Sequence, residues 1–228
     1  MLKGSEESFP RVEKGTRNWS LCQNATIQSR CGQEEDYEKI IAWRVPNEDI
    51  KSLKQYNCFS VGDHEAAIVF KHNIAVDIKK LKGYYRLLSA DRHLSIVWIL
   101  TERFNLEFGI SKARNFLTSD GKQCGFHGIL FLRVADIKLF AERVIYNKTK
   151  YTTYDLRDFL LPHISDFFRS FISQYTMDQL KKLESSEILS KMEENLASLI
   201  SDYGIEIEDV RIEGFAPDNN DETGGKNG

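Results

Sequence analysis

The chain has no run of apolar residues approaching the roughly 20 that a membrane-spanning helix requires. Its most apolar stretch, Ser95 to Leu100, is strand-sized. The N-terminus, M-L-K-G-S-E-E-S-F-P-R-V, lacks the apolar core of a secretory signal. An excess of positive charge is missing too: 31 Lys and Arg stand against 34 Asp and Glu, a net charge of −3, so no nucleic-acid partner is expected. There is no C-x-x-C and no H-x-x-x-H, so no zinc site of ordinary spacing is expected. Cys22, Cys31, Cys58 and Cys124 are scattered irregularly, unlike a dense disulfide framework, and a reducing, cytoplasmic setting is the expectation. In that setting the three N-x-[ST] tripeptides at Asn18, Asn24 and Asn147 are chance matches. No internal repeat is present.

What remains is a globular composition. With 228 residues and 41% hydrophobic side chains, the chain can build one good core but not two large domains. Residues 1–38 are polar and weakly periodic, and read as a mostly irregular segment. Ile40 to Pro46 reads as a strand closed by the proline, and E-A-A-I-V-F as a second between the turn signals Val61-Gly62-Asp63 and Lys71-His72-Asn73. Y-Y-R-L-L after Gly83 reads as another. Phe104, Leu106, Phe108 and Ile110 alternate with polar residues, the mark of a half-buried strand. Asp120-Gly121 predicts a two-residue hairpin turn joining strands over Lys112–Val134. The second of these, apolar on both faces, belongs inside the fold.

The second half changes period. Asp136 can cap a short helix, and Thr152 with Asp155 fits a capping box. Leu156, Phe159, Leu160, Ile164, Phe167, Phe168, Phe171 and Ile172 then recur at helical spacing, with a kink or break expected at Pro162. Thr176 with Gln179 opens another helix. A stripe through Ile188, Leu189, Met192, Leu196, Leu199, Ile200 and Tyr203 ends at Gly204, placed as a left-handed cap. In the closing strand Ile205 and Ile207 share one register and Val210 and Ile212 the other, which predicts a bulge near Glu208 and Asp209. Residues 216–228 are too polar to fold.

The order of these pieces resembles the SPFH domain, or band 7, of stomatins, prohibitins and flotillins. The resemblance rests on Val61-Gly62 with Ala66 to Phe70, Gly83-Tyr84-Tyr85, the Thr118-Ser119-Asp120-Gly121 turn, Arg133 to Asp136 with Phe140, Asp155-Leu156-Arg157, and Tyr203-Gly204-Ile205 leading into Val210. It covers roughly Leu53 to Phe215, and W-R-V-P ahead of it is similar to a soluble, virion-core-like bacterial branch. It implies an α+β fold, a curved and largely antiparallel sheet with C-terminal helices, over residues 39–215. It also implies a scaffold without chemistry of its own. The membrane anchor and long coiled coil of many members do not occur in this sequence, so small rather than large assemblies are expected.

Candidate chemistry is thin. Cys124 and His127 suggest a thiol and its base, but residues three apart on a strand point to opposite faces. Gly121, Gly125 and Gly128 match no phosphate loop. The acidic groups Glu34-Glu35-Asp36 and Glu193-Glu194 read as solvated charges. Lys79, Lys80, Lys82 and Arg86, interleaved with Leu81 and Tyr84, could touch anionic lipid, although a plain solvated loop is the commoner reading of such a cluster. Cys58 could carry an acyl chain, with a buried thiol the simpler alternative. The expectation is therefore a non-enzymatic scaffold, without cofactor or metal, that self-associates and recruits protein partners, with weak peripheral membrane contact. A monomeric adaptor and an unrecognised enzyme are the alternatives.

Overall fold

The change from strand to helical periodicity along the sequence carries through to the computed structural model, which describes residues 9–14, 19–23, 25–35, 38–87, 93–110 and 116–217. The chain divides into two compact units.

The first unit draws on Met1–Glu102 and Val134–Thr153. Its N-terminal part supplies β1 (Arg11–Val12), α1 (Trp19–Cys22), β2 (Thr26–Ile27) and β3 (Glu34–Glu35), then β4 (Glu38–Val45) and β5 (Cys58–Val61). β6 (Glu65–Lys71), β7 (Ile74–Lys79), β8 (Gly83–Arg86) and β9 (Leu94–Leu100) follow, and β12 (Lys150–Thr152) returns later. One sheet has the order β12-β4-β9-β6-β7, with β3 on β4, and the other β1-β8-β5-β2. Pairing is antiparallel except between β2 and β5. The apolar run Ser95–Leu100 lies in β9, hydrogen-bonded on both sides, as a strand apolar on both faces should be.

Phe9, Ile27, Phe59, Val61 and Tyr85 of the smaller sheet and its lead-in share one buried cluster with Ile40, Trp43, Val45, Val69, Ile96 and Trp98 of the larger. Trp98 donates its indole N–H to Ser60 O at 2.7 Å, so the largest side chain of this core is also satisfied. Phe9, Val12, Cys22 and Ile27 are buried, which gives the weakly periodic N-terminal segment a packing role that its sequence does not advertise. Cys22 and Cys58 are joined in a disulfide with Cα atoms 5.3 Å apart. That corrects two expectations: Cys58 is neither an acylation site nor a free thiol, and the pair runs against a reducing setting. Thirty-five residues lie between the two cysteines, so spacing could not reveal the pairing.

The second unit draws on Arg103–Arg133 and Tyr154–Gly228. β10 (Phe104–Ile110) pairs antiparallel with β11 (Cys124–Val134), from Phe104 opposite Leu132 to Ile110 opposite Phe126, and β13 (Ile205–Pro217) flanks β11. Phe104, Leu106 and Phe108 are buried and their polar neighbours exposed, as alternation requires. Residues 111–115, where the first hairpin strand was expected, lie outside the described residues. The turn differs from expectation. Gly121 N–H donates to Thr118 O and Thr118 N–H to Lys122 O, which makes a three-residue loop in which Gly121 alone has positive φ, at 75°. The two-residue hairpin lies instead at His72-Asn73, between paired Lys71 and Ile74, with φ of 52° and 63°. Asn tolerates that region, but His is an unusual occupant, so the dipeptide carries little sequence signal.

Asp136 caps α2 (Ile137–Phe140) by accepting from the N–H groups of Lys138 and Leu139, and a π-helical turn, Ala141–Ile145, follows. α3 (Thr153–Ile172) runs through Pro162 without the expected break, the proline sitting on its exposed side. Phe168 of α3 lies 4.2 Å from Phe126 and 5.6 Å from Phe108, ring centre to ring centre, closing helix on sheet. α4 (Met177–Leu180) opens with the expected Thr176–Gln179 capping box. The last stripe is two helices, α5 (Ser185–Asn195) and α6 (Ala197–Ser201), divided at Leu196, and Gly204 ends it at φ 75°. Burial in β13 moves from Ile205 and Ile207 to Val210, the change of register expected around Glu208. β13 extends to Pro217, and the polar tail beyond it lies outside the described residues.

Candidate functional site

β7 and β8 are joined by Lys80-Leu81-Lys82, a short loop that turns its apolar residue outward: Leu81 is 67% exposed. The four cations singled out in the sequence do not act as one cluster. Lys80 is exposed beside Leu81, and Lys82, also exposed, pairs with Asp63. Lys79 turns inward, its ammonium 2.9 Å from Asp77 Oδ2 and 5.3 Å from the Tyr85 ring centre, with about a seventh of its side chain exposed. Arg86 is half-buried, opposite Cys58 in the β5–β8 ladder.

A cation that sequence reasoning missed joins the loop. Arg11, on β1, donates from Nη2 to Lys82 O at 2.6 Å. The β1–β8 pairing brings it there across 71 residues, and nothing in the polar N-terminal segment signals it. Gly83 makes room, since a Cβ at that position would sit 2.6 Å from Arg11 Nε. The Tyr85 hydroxyl donates to Leu81 O at 2.6 Å and holds the loop's base, and burial pushes its pKa up, against the lowering effect of Arg11. Phe9, Arg11, Lys80, Leu81 and Tyr85 are among the walls of a cavity of about 510 Å³ under the loop. The loop thus presents an exposed Leu between two exposed Lys side chains, beside an exposed Arg.

In the second unit α3, α5 and α6 enclose a groove of about 420 Å³. Phe167, Phe171, Leu196 and Leu199 supply its apolar lining, and His163, Asp166, Lys191 and Glu194 its polar rim. Phe167 and Leu199, read from the sequence as core, are half-buried and exposed respectively. The rim charges pair locally, Lys191 with Glu194 at 2.9 Å and Asp166 with Arg169 at 2.9 Å.

The remaining candidates fall where their sequence context puts them. Cys124 is buried and His127 exposed, on opposite faces of β11, so no thiol–imidazole pair forms. Gly128 lies in β11, where a Cβ would meet Arg211 O at 2.4 Å; it serves close backbone approach, not a phosphate. Glu193 and Glu194 are exposed. Among the described residues no three His, Cys, Asp or Glu side chains gather as a metal would need. A buried polar group near β6 was not foreseen: Glu65 accepts from Gly62 N–H at 2.5 Å, and burial raises its carboxyl pKa, opposed by that bond and one from Ser29. Beside it burial pushes the Cys31 thiol up to about 12, so this cysteine stays protonated and a poor nucleophile.

No helix among the described residues is long and apolar enough to cross a membrane. A search of curated proteins gives no significant match. The family model described as SPFH domain / Band 7 family matches residues 59–222, from β5 past the end of β13. That span is most of the chain and holds strands of each sheet and the C-terminal helices that the motif order implies, so this chain belongs to the SPFH domain / Band 7 family.

Proposed function

We propose that this protein is a non-enzymatic scaffold that self-associates, recruits partner proteins, and touches anionic membrane through the Lys80-Leu81-Lys82 loop. Family membership supports the general role, because SPFH proteins are generally membrane-associated scaffolds without chemistry of their own. The observation that carries the membrane contact is the 67% exposed Leu81 held between two exposed cations, with Arg11 alongside. Each cation near an anionic surface contributes about 1 kcal/mol. The Lys82–Asp63 pair is exposed on both sides and worth little, so Lys82 can exchange it for a lipid phosphate. Lys79 stays with Asp77.

Flotation with phosphatidylcholine vesicles, with and without phosphatidylserine, tests this reading. Weak binding that requires phosphatidylserine and is lost at high salt is expected. Lys80→Glu with Lys82→Glu should abolish it, and Leu81→Ala should weaken it. Binding that survives the charge reversal, or that resists salt, overturns the loop as the contact.

A further inference from the structure

The first unit contains a second cavity, of about 280 Å³, that neither the family nor the membrane reading uses. It is lined by Arg44 of β4, Phe70 of β6, Asn73 of the His72-Asn73 turn, and Glu142, Tyr146 and Asn147 around the π-helical turn. Three features set it apart from an ordinary surface dent.

The guanidinium of Arg44 has no carboxylate within ion-pair distance among the described residues, and its Nε is buried with no hydrogen-bond partner. Burial lowers the pKa of the group, the sign of a cation that has lost water without gaining an acid. It rests 5.4 Å from the centre of the Phe70 ring, a contact that leaves the Nε donor without a partner. The rim is also held in unusual backbone. Asn73 has φ 63° and Tyr146, directly after the π-helical turn, φ 46°. An aromatic residue in that region is uncommon, and here it carries a ring that is 68% exposed at the cavity mouth. Finally, Glu142 lines the same cavity without reaching Arg44; its nearest cation is Lys138, 3.9 Å away.

A phosphate or other dianion would meet Glu142 as well as Arg44 and be repelled. A carboxylate whose neighbouring atom bears an N–H donor answers both, the anion on Arg44 and the donor on Glu142, with the Asn73 and Asn147 amides at hand. Tyr146 and Phe70 favour an aromatic side chain beside them. A volume of 280 Å³ is that of about nine waters, enough for one amino-acid residue. We propose that this cavity binds an α-carboxylate with an adjacent N–H donor and an aromatic side chain, supplied by a free amino acid or by the last residue of a peptide.

The test is calorimetric titration of the full chain with L-phenylalanine, N-acetyl-L-phenylalanine and L-phenylalaninamide, each at millimolar concentration. Binding of phenylalanine but not of the amide, which lacks the carboxylate, is expected. If the N-acetyl compound binds as well, a peptide end is the source; if it does not, a free amino acid is. Tyr146→Ala, an exposed change that should fold normally, is expected to weaken binding about tenfold. Arg44→Gln, checked for folding by circular dichroism, should abolish it. The proposal fails if none of the three binds, if the amide binds as well as the acid, if inorganic phosphate competes at equal concentration, or if Tyr146→Ala and a folded Arg44→Gln both bind unchanged.

Discussion

Glu65 and Asp120 are carboxylates shifted in opposite directions, and the pH dependence of stability should separate them. Glu65 is 8% exposed, and its folded pKa lies above the unfolded value because burial outweighs the bonds from Gly62 and Ser29. Its favourable contribution is complete below the unfolded pKa and is lost as pH rises through the folded one. Glu65→Gln, which keeps an acceptor for Gly62 N–H, should therefore melt higher than the parent at neutral pH, with the difference vanishing in acid. Asp120 is the reverse case: hydrogen bonds from the Thr118 hydroxyl at 2.5 Å and from Met177 N–H at 3.2 Å, with Lys122 nearby, hold its carboxyl below the ordinary range. Its contribution is present above the unfolded pKa and is lost as pH falls through the folded one. Asp120→Asn should thus be destabilising at neutral pH and neutral in acid. Urea melts of both variants across that range check the signs, and two curves of the same slope would contradict the assignment. Next to Asp120, Gly121 sits at φ 75° with open space where a Cβ would be. The cost of Gly121→Val is then backbone strain alone, more than about 1 kcal/mol, and Gly121→Asn should cost much less.

At the scale of elements the helices divide their apolar residues more finely than periodicity implies. Leu196 is 3% exposed at the junction of α5 and α6, whereas Leu199, one turn on, is 37% exposed and Phe167 is half-buried beside the same groove. Leu196→Ala should cost about 2–5 kcal/mol, Phe167→Ala less than about 2, and Glu194→Ala close to nothing. Denaturant midpoints with unchanged slopes would order the three; equal losses at Leu196 and Phe167 would mean the groove is closed in solution. Strand alternation in β10, the Asp136 and Thr176 caps and the Gly204 terminus were legible, because each depends on residues within a few positions of one another. The disulfide, the buried Phe9 and the approach of Arg11 to Lys82 were not, since each joins parts of the chain between 36 and 71 residues apart through tertiary contacts that no local pattern encodes. Arg44 escaped for a different reason. Within the strand ending at Pro46 nothing local marks it, and only the chain returning at Ala141–Asn147 makes it a lining residue.

For the molecule as a whole, the Cys22–Cys58 bond bears on where the protein can be stable. A cross-link over this separation is worth about 3–4 kcal/mol through the unfolded chain. Cys22→Ala with Cys58→Ala should lower stability by that order, and loss of protection in β5 and β8 by hydrogen exchange would locate the effect. Self-association is constrained by how the exposed apolar residues are distributed. Among the described residues Leu21, Ile74, Leu81, Leu117, Tyr146, Tyr154 and Leu199 stand singly along the sequence, on different elements or loops, and the apolar lining of the α3–α5–α6 groove is rimmed by charges that include the Lys191–Glu194 pair. Obligate interfaces bury on the order of 2,000 Å² or more of largely apolar surface, and scattered single residues do not supply that. Oligomers formed by this chain alone should accordingly be small and dissociate on dilution, which light scattering across a concentration series measures directly. If the groove is the contact, Leu199→Glu shifts the series to monomer while Ile74→Glu, on the β7 edge, leaves it unchanged; the opposite pattern assigns the contact to that sheet edge. A mass that stays fixed on dilution, or a closed ring by electron microscopy, would mean that an extensive interface forms from surfaces which look too polar and too divided to make one.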